Sequence, residues 1–125
     1  MIDGVEEGIV PFIGCEKLDN ITVEELTGKT NYYRSIDGNL YKLDTTNNPI
    51  KLIRYAIGKN NAEFTVPSEV QYIGQYAFSG AKYLENITFT QIMVGESAFE
   101  DCTNLRKIII PDNTEEIPAR AFKGC

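Results

Sequence analysis

Residues 98–110 read AFEDCTNLRKIII, and residues 77–89 read AFSGAKYLENITF. Counted from the phenylalanine, both stretches have a small residue at +3, leucine at +6, isoleucine at +9 and a large apolar residue at +11. A third copy begins as AFKGC at residues 121–125, and the three phenylalanines, Phe78, Phe99 and Phe122, are 21 and 23 residues apart. Self-similarity at this period indicates repeats that stack and bury one continuous core.

The same pattern occurs near the start of the chain. Residues 12–23 read FIGCEKLDNITV and have the same residue types at +3, +6, +9 and +11. Four matches to one pattern make chance an implausible explanation. We therefore predict a ladder of stacked side chains as the structural core: Phe12, Cys15, Leu18, Ile21, Phe78, Ala81, Leu84, Ile87, Phe99, Cys102, Leu105, Ile108, Phe122 and Cys125.

Each repeat, which we call a coil, has its own order of local structure. The alternation of Ile87 and Phe89 with Thr88 predicts a short strand with two residues facing the core. A second extended segment is predicted around residues 70–73, and a single helical turn around residues 76–78 would carry Phe78 inward. These features predict a β-rich α/β solenoid of coils of about 21–23 residues.

Residues 30–66 do not follow the pattern and are predicted to form an antiparallel β-meander. The runs at 32–36 and 40–43 flank Asp37, Gly38 and Asn39, which together are a strong hairpin signal. We expect one domain over residues 1–125, divided into an N-terminal repeat (1–29), this insert (30–66) and regular repeats (67–125). We also expect the chain to be a piece of a longer protein.

The pattern Ile/Val-Pro-x-x-Val-x-x-Ile-Gly-x-x-Ala-Phe-x-x-Cys-x-x-Leu-x-x-Ile-x-Ile resembles the BspA-like leucine-rich repeat. The hairpin sequence at 35–41 also resembles an element that interrupts repeats in that family. Ala81 in place of cysteine and Pro118 in place of glycine depart from the pattern. The resemblance implies a right-handed leucine-rich-repeat superhelix on secreted or surface-exposed proteins of host-associated bacteria. Members of the family are associated with adhesion, and the family has no recognised catalytic motif.

Composition argues against several classes of function. The chain has 18 acidic and 12 basic residues, a net charge of −6, and no histidine. An acidic chain offers no electrostatic footprint for phosphate backbones, so nucleic acid is not expected as a partner. Histidine is the side chain that titrates unperturbed near neutrality and the commonest metal ligand, so its absence argues against acid–base catalysis and metal binding. No run is apolar enough for a membrane span, so we expect no membrane contact. We predict no enzyme, no cofactor and no metal site.

Two groups of residues are candidates for chemistry. Cys15, Cys102 and Cys125 all occupy the +3 position, where Ala81 also stands, so buried structural thiols are favoured over nucleophiles. Acidic pairs occur at 6–7, 24–25, 100–101 and 115–116. They fall in the polar gaps of the repeat, so solvated turns are favoured over paired catalytic carboxylates.

The predicted outward side of the strands is the candidate binding surface, because solenoids commonly bind along such a surface. Three tyrosines at non-ladder positions of one coil are further candidates, because tyrosine offers a large contact area at low entropic cost. The candidate binding residues are Asn20, Thr22, Asn86, Thr88, Lys107, Ile109, Tyr72, Tyr76 and Tyr83.

The candidate surface together with the family resemblance implies a protein-recognition module that adheres to a host-matrix protein or another cell-surface protein. A structural spacer that projects another domain is one alternative. Carbohydrate binding through tyrosines of the insert is the other.

Overall fold

The computed structural model describes residues 12–24, 28, 31–90 and 93–125. Within these ranges all regular structure is β-strand, and no helix occurs. The strands are β1 (Tyr33–Ile36), β2 (Asn39–Leu43), β3 (Pro49–Arg54), β4 (Glu63–Thr65), β5 (Tyr72–Ile73), β6 (Asn86–Thr88), β7 (Met93–Val94) and β8 (Lys107–Ile109).

The strands form two sheets that share one core. One sheet has the order β1-β2-β3-β5-β7, and the other has the order β4-β6-β8. β1, β2 and β3 pair antiparallel, whereas every pair from β3 onward in either sheet is parallel. The chain therefore alternates between the two sheets once per coil, which is the arrangement expected of a leucine-rich-repeat fold.

The β1–β2 hairpin agrees with the turn predicted at residues 37–39. Ile36 pairs with Asn39, and the two turn residues Asp37 and Gly38 have positive φ angles of 51° and 81°. Positive φ at both positions is the requirement of the two-residue hairpin turn that asparagine, aspartate and glycine favour.

An antiparallel insert is predicted over residues 30–66, but the pairing is antiparallel only from β1 to β3. β4, at the end of that range, pairs parallel with β6 and places Phe64 beside Ile87. Tyr55 occupies the position of the phenylalanine, because its N–H donates to Ala77 O at 2.8 Å just as the Phe78 N–H donates to Ala98 O at 2.7 Å. Residues 55–66 are thus a coil of the solenoid, and the three-part division of the chain stays a prediction.

Turns take the place of the predicted helical turn around residues 76–78. The N–H groups of Ala77, Ser79 and Ala81 donate to the carbonyl three residues earlier, at 3.1, 3.0 and 3.0 Å. Tyr76 has a φ of 58° and Gly80 a φ of 81°. Positive φ interrupts right-handed helical geometry, so the chain makes successive turns here instead of a helix.

A stack of aromatic rings runs through the coils. We call it the aromatic stack: Tyr55, Phe78, Phe99 and Phe122. Neighbouring ring centroids lie 5.3, 5.2 and 5.3 Å apart in that order. Phe78 and Phe99 are fully buried. The stack fills the space between the two sheets and continues into the apolar side chains of every coil it crosses.

Phe12, predicted as the first aromatic of this ladder, lies outside it. Its side chain is 42% exposed, and the ring that precedes Phe78 in the stack is that of Tyr55. Residues 18–23 instead pack on the hairpin, where Ile21 contacts Leu40 and Ile53. The segment also approaches Gly58 so closely that a Cβ there would lie 2.4 Å from the Lys17 carbonyl carbon.

The other predicted ladder residues differ in burial from coil to coil. Ala81, Leu84, Ile87 and Cys102 are buried, Ile21 is buried in the separate cluster on the hairpin, and Leu18, Leu105 and Ile108 are half-buried. Cys15 and Cys125 are exposed. Burial is therefore deepest in the middle coils, which have a neighbour on both sides.

Truncation of Phe99 tests the role of the stack. Phe99 lies between two rings in near-parallel planes, so Phe99→Ala removes contacts on both of its sides. We expect a loss of about 3–5 kcal/mol in the free energy of unfolding, measured by denaturant titration. Phe12→Ala is the matched control and should cost less than about 0.5 kcal/mol, because this ring is partly exposed and outside the stack. Equal effects of the two changes would contradict the stacking model.

A substitution of Tyr55 tests the stack by a predicted gain in stability. Its hydroxyl is buried and has no hydrogen-bond partner among the described residues, whereas the other three members of the stack are phenylalanines. Tyr55→Phe removes an unsatisfied polar group, and we expect it to stabilise the fold by about 1 kcal/mol in thermal and denaturant unfolding. A loss of similar size would mean that the hydroxyl has a partner in solution. Tyr32→Phe, at an exposed tyrosine, should change nothing.

Candidate protein-recognition surface

The sheet β4-β6-β8 presents two rows of outward side chains. Strand register places Glu63, Asn86 and Lys107 side by side, and likewise Thr65, Thr88 and Ile109. The residue between the two rows in each strand, such as Ile87, packs into the core. We call these six outward residues the strand face.

The strand face is open to solvent and chemically mixed. Asn86 is half-buried, and the other five residues are exposed. One row runs from a carboxylate through an amide to an ammonium group, and the other has two hydroxyl groups followed by Ile109, which is 51% exposed. The face is held from behind by the fully buried Ile87, so its side chains stand on a fixed backbone.

The structure brings only part of the predicted strand surface together. Asn86, Thr88, Lys107 and Ile109 lie in adjacent strands, but Asn20 and Thr22 do not join them. Asn20 Nδ2 donates to Thr22 Oγ1 at 3.1 Å, and Ile21 N–H between them donates to Gly38 O at 2.7 Å. These two residues therefore flank the β1–β2 hairpin instead of extending the sheet.

Glu63 and Thr65 belong to the strand face but were missed in the sequence. Their coil departs from the repeat pattern and falls within the predicted insert, because it begins with Tyr55 and has Asn61 where the other coils have leucine. A signal was present, since Phe64 and Val66 stand at +9 and +11 from Tyr55. Allowing any aromatic residue at the first position would have found the coil.

The candidate tyrosines do not form one site. Tyr72 lies on β5 in the other sheet and is 37% exposed, paired in register with Lys51 and Met93. Tyr83 lies in a turn, is 39% exposed and has Lys82 Nζ 5.4 Å from its ring centroid.

Tyr76 is a half-buried turn residue with positive φ, and its carbonyl accepts a hydrogen bond from the Arg54 guanidinium. Of the tyrosines in the predicted insert, Tyr41 and Tyr55 are buried and Tyr32 is 64% exposed.

The thiols act as contacts between coils where they are close to the stack. Cys102 Sγ donates to Phe78 O at 3.3 Å, and Cys125 Sγ donates to Phe99 O at 3.1 Å. Each bond reaches the backbone of the preceding coil at its aromatic residue. Prediction of a buried thiol is wrong for Cys15 and Cys125, which are exposed because neither has a coil packed over it.

The pKa of the Cys102 thiol also opposes a nucleophilic role. Burial raises it to about 12, and the nearby Cys125 adds to the shift. Cys125 is exposed as a residue, but its Sγ faces Phe99 O, and this partial burial of the thiol raises its pKa in the same direction. A nucleophilic cysteine needs the reverse, a depressed pKa that populates the thiolate.

A buried arginine joins the first coil to its neighbours. Arg54 is fully buried and stands at the position that Ala77, Ala98 and Ala121 hold in the following coils. Its guanidinium donates to the carbonyl oxygens of Tyr76 and Ser79, the latter at 2.9 Å, and to Phe12 O at 3.4 Å. Burial lowers the pKa of Arg54 to about 10. The side chain ties the N-terminal segment to the solenoid.

No metal-binding cluster occurs in the described part of the chain. No three Cys, Asp or Glu side chains within it are grouped closely enough to hold an ion. The acidic pairs at 100–101 and 115–116 lie in turns and irregular segments, Glu24 is exposed, and the pair at 6–7 and Glu25 lie outside the described residues. None of the structure's described segments contains a helix long and apolar enough to cross a membrane.

The buried thiol predicts a specific sensitivity to alkali. Because the folded state holds Cys102 protonated to about pH 12, against an ordinary value of 9.0, its stabilising contribution is complete below pH 9 and is lost as the pH rises toward 12. Cys102→Ala should therefore show a smaller fall in Tm between pH 8 and pH 10 than the wild type. Alanine suits this position, since Ala81 occupies it in the preceding coil.

Arg54 acts in the opposite direction, because its folded pKa is lowered and the unfolded chain binds its proton more tightly above about pH 10. Arg54 is present in both the wild type and Cys102→Ala, so the difference between their alkaline slopes reports on the thiol. An unchanged alkaline slope in Cys102→Ala would contradict the burial argument.

Comparison with known proteins agrees with the repeat geometry. The family model of the BspA type leucine rich repeat region, with 6 copies, matches residues 54–125. The match begins beside Tyr55, in the coil that opens the aromatic stack. No curated protein matches the chain.

Solved structures of bacterial proteins have the same fold. A leucine rich cell surface protein from Faecalibacterium prausnitzii A2-165 is 28% identical with a TM-score of 0.79, over 89% of this chain and 28% of that one. The pneumococcal vaccine antigen PcpA is 28% identical with a TM-score of 0.66, over 78% of this chain and 23% of that one.

A leucine-rich repeat protein from Eubacterium ventriosum ATCC 27560 is similar in fold, at 24% identity and a TM-score of 0.59, over 88% of this chain and 34% of that one. The chain therefore spans between 23% and 34% of the length of these three proteins. Coils with alternating parallel strands, a central aromatic stack and the matched repeat pattern show that the chain belongs to the BspA type leucine-rich repeat family.

Proposed function

We propose that this chain is a non-catalytic protein-recognition module of a bacterial cell-surface protein, and that its strand face adheres to a host-matrix protein or another cell-surface protein. The observation that carries the proposal is the register of β4, β6 and β8, which displays six side chains in two rows on a rigid support. Surface exposure is supported by the similar leucine rich cell surface protein.

Affinity in this proposal comes from display on a fixed backbone. Parallel pairing and the buried Ile87 hold the strand face in place, so binding orders few additional groups. Ile109 supplies an apolar contact, and the row of Glu63, Asn86 and Lys107 supplies polar specificity. Six side chains make a small patch, so this chain alone should bind weakly. Further coils in a longer protein would add to it by multivalency.

The proposal also includes the superhelix and the repetition of the strand face along it. We expect the coils to wind into the elongated right-handed superhelix that the family resemblance implies. The strand face would then repeat regularly along the longer protein, and each coil would add a similar row of side chains.

The alternative roles have different structural support. A spacer would use the same rigid stack of coils but would need no exposed Ile109. Carbohydrate binding through the predicted insert loses two of its four tyrosines, because Tyr41 and Tyr55 are buried in the core. Stacking on a sugar ring requires an open aromatic face, which leaves protein recognition as the better-supported function.

A solid-phase assay with immobilised fibronectin, laminin, collagen and fibrinogen tests the proposal. We expect saturable binding of the chain to at least one of these proteins. The double variant Thr88→Arg/Ile109→Arg should weaken that binding at least tenfold, because two bulky cations disrupt one row of the strand face. The absence of saturable binding to any of them would favour the spacer.

A matched control separates the strand face from general surface charge. Thr45→Arg/Ile13→Arg introduces the same two cations at exposed positions outside the three strands. Thr45 lies between β2 and β3, and Ile13 is 48% exposed against 51% for Ile109. Binding should stay within about twofold of the wild type. An equal loss in both double variants would contradict a role for the strand face.

A further inference from the structure

A cleft separates two successive coils beside β7. One wall is formed by Met93 and Val94, and the other by residues 113–116 and Pro118. Its volume is about 390 Å³. On this side of the molecule β7 is the last strand of the five-stranded sheet among the described residues, so its outer edge faces the cleft without a paired strand.

Pro118 explains why the coils part here. The equivalent positions in the two preceding coils are Gly74 and Gly95, whose N–H groups donate to Leu52 O at 2.8 Å and Ile73 O at 2.7 Å. Proline has no N–H and cannot repeat this bond to the next carbonyl. The glycine position also has no room for a side chain: a Cβ on Gly95 would lie 2.6 Å from Gln75 N. Proline carries a Cβ, so Pro118 cannot approach the preceding coil as closely as Gly95 does.

The consequence is visible in the residues that precede the proline. Residues 114–118 form no strand, although the corresponding residues 72–73 and 93–94 do. No backbone hydrogen bond joins these residues to β7 in the described structure. The five-stranded sheet therefore ends at β7.

The coils close again directly beyond the cleft. Phe99 N–H donates to Ala121 O at 2.9 Å, and Asp101 N–H donates to Lys123 O at 2.7 Å. Phe122 stacks on Phe99 with an angle of 6° between the ring planes. The opening is therefore local and has fixed walls, because the same coil is tightly bound to its neighbour at the aromatic stack.

The lining of the cleft indicates what would fit. Glu115 and Glu116 are exposed on its rim. Glu96 lies nearby and is 3.6 Å from the Arg120 guanidinium. Met93 is 66% exposed and offers an apolar contact, and Thr114 Oγ1 is buried without a hydrogen-bond partner in the described structure. A free strand edge, an apolar floor and an acidic rim together suit an extended segment with basic side chains.

We propose that the cleft binds an extended basic segment of a partner protein, which adds as a strand to the outer edge of β7 and places lysine or arginine side chains beside Glu115 and Glu116. The proposal rests on the protein-recognition function proposed above but uses a different surface from the strand face. Backbone hydrogen bonds to the strand edge would supply affinity, and the charge of the rim would select basic over acidic segments.

Fluorescence anisotropy with a defined peptide tests this proposal. The probe is a labelled seven-residue peptide, Lys-Val-Lys-Thr-Lys-Val-Lys, blocked at both ends, and the comparison peptide has glutamate in place of each lysine. We expect saturable binding of the basic peptide to the full chain and at least tenfold weaker binding of the acidic one. Failure to bind the basic peptide would overturn the proposal.

Pro118→Gly is the decisive variant. It restores the glycine of the preceding coils, so the segment can pair with β7, close the cleft and complete the sheet. We expect at least a tenfold loss of peptide binding together with a rise in Tm, which distinguishes closure of the cleft from misfolding. Peptide binding at the wild-type level with a raised Tm would overturn the proposal.

Charge variants test the rim. Glu115→Lys/Glu116→Lys should weaken binding of the basic peptide at least tenfold. The control Asp19→Lys/Glu69→Lys makes the same change in net charge at two other exposed carboxylates and should change binding less than twofold. Equal losses would mean that the peptide responds only to overall charge, and the cleft would not be its site.

The proposals for the strand face and for the cleft can be tested independently. Pro118→Gly should leave solid-phase binding to matrix proteins intact, and Thr88→Arg/Ile109→Arg should leave peptide binding intact. Loss of both activities in either variant would contradict separate sites. A failed matrix-binding assay with intact peptide binding would leave the cleft in place and overturn only the role of the strand face.

Discussion

Every coil of this protein depends on contact with the coil next to it. A single coil has apolar side chains on one side only and too few residues to bury them, so its aromatic ring is covered only when the next ring stacks on it. Backbone N–H groups on either side of each ring bond to the neighbouring coil, as at Phe78 and Phe99. These contacts set a common spacing for rings, strands and turns. The rest of the structure follows from that spacing.

The first coil shows how the constraint is met where the pattern departs from the repeat. Tyr55 takes the aromatic position although its hydroxyl finds no partner, and Arg54 takes a position held elsewhere by alanine. The Nη1 and Nη2 groups of the buried guanidinium donate to three backbone carbonyls, one of which belongs to Phe12, while its Nε–H has no partner among the described residues. Hydrogen bonds from Arg54 thus attach the N-terminal segment to the first coil, where packing joins the later coils to one another.

Much of this architecture can be predicted from the sequence, and the features that cannot be predicted have physical causes. The period, the hairpin turn at Asp37 and the strands around Ile87 and Ile108 follow from residue spacing alone. The coil headed by Tyr55 was hidden because Asn61 replaces the leucine that marks the other coils. Positive φ at Tyr76 and Ser97, which turns the backbone where a helix was predicted, is a tertiary outcome that these side chains do not favour. The burial of Arg54 is equally hard to predict, since its carbonyl partners lie in two segments far from it in the sequence, at residues 76–79 and at Phe12.

The strand face and the cleft beside β7 differ in their position relative to the contacts between coils. Residues of the strand face point away from the core, so Thr65, Thr88 and Ile109 can differ from coil to coil while the strands behind them pair identically. Pro118 is a change of another kind, because it replaces a glycine at a point where two coils meet. The aromatic stack beyond it keeps the coil attached, and the lost contact becomes an open strand edge. In a solenoid, an outward substitution alters the chemistry of a surface, whereas a substitution at a coil contact creates a new one.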